Sequence, residues 1–146
     1  MKKLFYSLFL TVLFLSCGNN PKSNKADSQS TEVAQGDRIE VIYFHGAQRC
    51  ITCRAIEEQT KALLDSVYAE ELKNGTVVYR TIDISKKENK EIADKYEVTW
   101  SSLFINKWAD GKETPNNMTD FAFSYAKGLP DKFTAGIREK IEELKN

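Results

Sequence analysis

The chain has 146 residues, with 21 Lys and Arg against 21 Asp and Glu, one histidine and three cysteines. Zero net charge without a basic stripe excludes a nucleic-acid partner held by its phosphates. A chain of this length has room for one core of ordinary size, so neither a second folded domain nor an internal repeat is expected.

The first element is an apolar run at residues 4–15, preceded by Lys2 and Lys3, which together have the form of an export signal. It is too short to cross a bilayer, which takes roughly 20 apolar residues, and Ser16-Cys17-Gly18-Asn19-Asn20 breaks it. The box Leu15-Ser16-Cys17-Gly18 resembles the cleavage site of bacterial lipoproteins, although Phe14 stands where leucine is usual. That resemblance implies a signal peptide over residues 1–16 and a lipid on Cys17, anchoring the protein on the outer side of a membrane in the bacterial cell envelope. Residues 17–37 are polar with no apolar period and are expected to form a flexible tether, reaching on the order of 25 Å. Losing Lys2 and Lys3 with the signal leaves a net charge of −2 on the mature chain.

Residues 38–146 then form the folded domain. Arg38-Ile39-Glu40-Val41-Ile42-Tyr43-Phe44-His45 is β-branched and aromatic over most of its length, which predicts a central strand buried on both faces. From Cys53 onward Ile56, Thr60, Leu63, Leu64 and Val67 recur at helical spacing, predicting one long helix that Asn74-Gly75 ends. A second strand follows at residues 76–84, then a charged helix at residues 87–96 with Ile92, Ala93 and Tyr96 as its apolar side. The run from Lys86 to Glu91 is read as a solvated helix face. Strand, crossover helix and strand imply a parallel pair. Residues 102–108 predict a third strand, and Asp110-Gly111 a tight turn into a short antiparallel edge at Lys112-Glu113-Thr114. Residues 119–127 fit strand or helix, because Phe121, Phe123 and Tyr125 alternate while Phe121 and Tyr125 also stand four apart; a helix with core aromatics is preferred. Phe133, Ile137, Ile141 and Leu144 after Pro130 predict a final amphipathic helix.

Chemistry concentrates at Cys50-Ile51-Thr52-Cys53, where a buried strand gives way to a helix. Free N–H groups and the positive end of the helix dipole stabilise a thiolate there, so Cys50 can attack near neutral pH. Cys53, one turn on, can then attack the mixed disulfide and release the product. The succession of strand, Cys-Xaa-Xaa-Cys, helix, strand, hairpin and closing helix resembles the thioredoxin-like family. The resemblance implies an α/β fold with a mixed central sheet of about four strands flanked by helices, with Cys50 attacking and Cys53 resolving.

Several positions depart from that family. Arg49 replaces the tryptophan before the motif, and Ile51-Thr52 fills it. Trp100-Ser101-Ser102 stands where the family has a cis-proline, so Ser101 or Ser102 is expected to face the dithiol across a trans bond. Phe44 stands near the position of the family's buried acid. His45 and Arg49 are candidates to assist by stabilising a thiolate or moving a proton, and Trp100 to border the site.

Three functions follow. Foremost is extracytoplasmic thiol–disulfide exchange on a protein substrate, a redox partner or a small thiol in the cell envelope, by a monomer whose only redox group is the dithiol; flavin and nicotinamide motifs are absent. The second is zinc or copper binding by Cys50, Cys53 and His45, although a closed zinc site takes four ligands. The third is an envelope binding module with a structural Cys50–Cys53 bond, which adds little stability by closing so short a loop.

Overall fold

A computed structural model describes residues 36–146. The signal, Cys17 and nearly all of the tether lie outside the described residues. Strand β1 (Arg38–His45) is buried along its whole length and occupies an inner position in the sheet. It pairs in parallel with β2 (Val77–Asp83), in register from Ile39 with Val77 to His45 with Asp83. On its other side it pairs antiparallel with β3 (Ser102–Ala109), which pairs antiparallel with β4 (Lys112–Thr114), giving the order β2-β1-β3-β4. The β3–β4 turn has Asp110 at φ 52° and Gly111 at φ 73°, the two left-handed residues of a type I′ hairpin.

Alternation along β1 divides the core. Ile39, Val41 and Tyr43 point into a cluster with Ile56, Leu63 and Leu64 of α1 (Ile51–Val67), Ala122 of α4 (Thr119–Tyr125), and Phe133, Ile137 and Ile141 of α5 (Pro130–Lys145). Phe133, Ile137 and Ile141 each stabilise by about 1.5–3 kcal/mol through burial, which fixes α5 against this face. Gly136 brings α4 close: a Cβ there would lie 2.2 Å from Cζ of Phe121. Ile42 and Phe44 point the other way, to Ile82, Phe104, Val98 and Ala93 of α3 (Lys90–Lys95). The architecture is the α/β one expected, a four-stranded mixed sheet flanked by helices.

Two elements differ from the sequence expectation. The helix after Cys53 does not run unbroken to Asn74: α1 stops at Val67, Tyr68 adopts φ −117°, and α2 (Ala69–Asn74) restarts the helix before Gly75 at φ 81°. Tyr68 is wholly buried and its hydroxyl donates to Glu142 Oε1 of α5 at 2.8 Å. The bend sets this side chain between α1 and α5 while Leu72 of α2 stays on the core. The charged helix likewise begins with a 3-10 turn, Lys87–Asn89, before α3.

Strand β1 is not apolar throughout. Glu40, 2% exposed, accepts from Arg80 Nη1 at 2.9 Å and Trp108 Nε1 at 2.8 Å, with Arg38 Nη2 at 3.9 Å. Nearby, Glu113 of β4 accepts from Lys95, Tyr96 and Asn106. Burial alone would raise the Glu113 carboxyl, but these donors outweigh it and hold it below the usual carboxylate range. Part of the sheet face on the α3 side is thus filled by paired charges.

Candidate functional site

The dithiol sits at the start of α1. Cys50 is the N-cap residue, with extended backbone at φ −69° and ψ 165°, and its Sγ accepts from the Cys53 N–H at 3.0 Å. A cysteine here takes the place that Ser or Asp fills at other helix starts. The first turn of α1 carries no acidic residue, so the positive end of its dipole stays uncompensated beside the sulfur. Cys50 is exposed and Cys53 is 7% exposed, and a disulfide joins them across a Cα–Cα distance of 5.0 Å. Cys50 is therefore open to solvent, with Cys53 held behind it.

Tyr43, which the sequence reading passed over as core, supports Cys53. It is fully buried, and its hydroxyl donates to the Cys53 carbonyl at 2.7 Å. Burial raises this phenol, an effect that the nearby Ser101 hydroxyl opposes. Ser101, on the loop before β3, is buried. Ser102 is also buried, but its hydroxyl turns back to the Trp100 carbonyl at 3.1 Å. Of the two serines it is Ser101 that affects the Tyr43 phenol, and no cis peptide bond occurs among the described residues.

His45, at the end of β1, is buried, with Nδ1 3.0 Å from the Gly46 carbonyl oxygen and its ring 6.2 Å from that of Tyr43. Its register partner Asp83 has a carboxyl held below the usual range, first by the Ser85 hydroxyl and backbone N–H and also by His45. Arg49 pairs with Glu57 of α1. Trp100 is 55% exposed, with its ring 5.0 Å from that of Phe123, and Ile51 within the motif is exposed as well. Phe44 packs in the second core against Tyr96 and Phe104, on the sheet face opposite Tyr43.

Among the described residues no three His, Cys, Asp or Glu side chains converge as metal ligands, and Cys50, Cys53 and His45 are not gathered into such a set. Glu57 was also overlooked from the sequence. Its signal was spacing: four residues after Cys53 and seven after Cys50, it lies on the same stripe of the helix as both.

No family model and no curated protein matches the chain. Among solved structures it is similar to the thioredoxin of Fasciola hepatica, at 25% identity over 75% of this chain and 83% of that one, with a TM-score of 0.48. It is also similar to a malarial protein, at 14% identity over 60% and 93% of the two chains and a TM-score of 0.39. An uncharacterized thioredoxin-like protein from Porphyromonas gingivalis gives 18% identity over 73% and 77%, with a TM-score of 0.37.

Proposed function

We propose that the protein is an extracytoplasmic thiol–disulfide oxidoreductase, tethered to the bacterial envelope by lipid on Cys17. The observation that carries the chemistry is the asymmetry of the pair: Cys50 is exposed at a helix start and Cys53 buried one turn behind it. In the reductive direction the Cys50 thiolate attacks one sulfur of a substrate disulfide, and the other sulfur leaves as a thiolate and takes a proton. Cys53, deprotonated, then attacks Cys50 Sγ and expels the second substrate thiol. The substrate gains two electrons and two protons, and Cys50–Cys53 ends as the disulfide. The reverse sequence oxidises a dithiol, and in either direction the partner supplies or removes the electrons.

A redox titration of the full chain carrying Cys17→Ser, so that only Cys50 and Cys53 respond, tests this reading. A midpoint between roughly −120 and −270 mV is expected, whereas a bond that resists reduction below about −300 mV makes it a structural disulfide. Cys50→Ser should abolish exchange and Cys53→Ser should accumulate mixed disulfides; full activity in both variants refutes the mechanism. The anchor is tested separately, since Cys17→Ser should move the protein from the membrane fraction to the soluble one.

A further inference from the structure

Arg49 adjoins Cys50 in the chain, and a cation in that place ordinarily favours a thiolate. Its guanidinium is instead committed to the carboxylate of Glu57, eight residues along. Glu57 lies four residues beyond Cys53 and seven beyond Cys50, so at 3.6 residues per turn its Cβ falls within about 40° of both cysteines around the axis of α1. The two side chains are 28% and 22% exposed, which leaves their charges only partly screened by water. Both charges act on the Tyr43 phenol, Glu57 raising it and Arg49 lowering it, on top of the larger effect of burial. Tyr43 in turn holds the Cys53 carbonyl.

We propose that Glu57 sets how readily Cys50 ionises, by holding Arg49 in an ion pair and so cancelling the cation that adjoins the nucleophile. The backbone N–H groups at the start of α1 are then the principal stabiliser of the thiolate. This role deepens the exchange function proposed above and rests on it. Glu57 is a positioning residue, acting on sulfur through Arg49. Other ionisable groups on these elements include Tyr43 and His45 of β1, Tyr79 and Asp83 of β2, and Arg54 and Glu58 of α1. All are retained when Arg49 or Glu57 is replaced, so differences among the variants report the pair.

The test is the pH dependence of Cys50 alkylation by iodoacetamide in the reduced full chain carrying Cys17→Ser, with the modified cysteine identified by peptide mass. Glu57→Gln should lower the midpoint by about one pH unit, roughly a tenfold gain in thiolate at any pH well below it. Arg49→Gln should raise the midpoint, and the double variant should return to within a few tenths of a unit of the parent, a reversal that general loosening of the helix would not produce. An unchanged or raised midpoint in Glu57→Gln overturns the proposal, as does a double variant that keeps the full shift. Alkylation needs no disulfide substrate. A parent chain inert toward oxidised glutathione but showing these shifts would refute the exchange function alone, and an active chain without them would refute the role of Glu57 alone.

Discussion

Removing the buried hydroxyl from each of two tyrosines on the same sheet face should change stability in opposite directions. Tyr43 donates to the Cys53 carbonyl at 2.7 Å, so Tyr43→Phe loses a buried hydrogen bond. A net hydrogen bond contributes about 1 kcal/mol, giving a loss of about 1 kcal/mol. The Cys53 carbonyl still has its acceptor role inside α1, which keeps the loss from growing further. Tyr79 is the contrary case: its hydroxyl is buried and has no hydrogen-bond partner among the described residues. Tyr79→Phe removes that unpaired group while keeping the ring on the core, and should stabilise by about 1 kcal/mol. Urea unfolding of the oxidised protein measures both, with an unchanged slope showing that only stability has moved. The two variants should differ by about 2 kcal/mol, or roughly 8 °C in thermal midpoint at about 4 °C per kcal/mol. Equal destabilisation by both would refute the assignment of these hydrogen bonds.

Glu97 follows α3 at φ 55°, where the Val98 N–H reaches the Ala93 carbonyl at 3.0 Å in the manner of a helix stop that favours glycine. Glu97→Gly should therefore raise the thermal midpoint by about 2–4 °C, and a lower midpoint would show that the left-handed backbone is not strained. Stability should also fall at both ends of the pH scale. The Glu113 and Glu142 carboxyls are held below their ordinary value of 4.5, so the stability they add is present above that pH and lost as the pH falls through the folded values. Glu113→Gln should flatten the acid limb of a plot of unfolding free energy against pH. Burial raises the Tyr43, Tyr68, Tyr79 and Tyr96 phenols above 10.0, so stability is fully present below that pH and declines as it rises toward their folded values. A flat profile from pH 10 to 12 would contradict their burial.

Local signals wrote most of the element order into the sequence. The β-branched run of β1, the change to helical spacing after Cys53, the Asp110-Gly111 turn and Pro130 at the first turn of α5 each act over a few residues, and the structure follows them. The position of Cys50 at a helix start is legible for the same reason, because capping depends on the next three residues. What tertiary structure decided are the meetings of residues far apart in the chain. Glu40 looked out of place in a buried strand until Arg80 and Trp108 came to it from the strands on either side. The bend at Tyr68 is tied to Glu142, 74 residues away, and Ser101 rather than Ser102 affects the Tyr43 phenol of β1. Backbone periodicity fixes which side of an element a residue occupies, and only packing fixes which charge or hydroxyl it faces there.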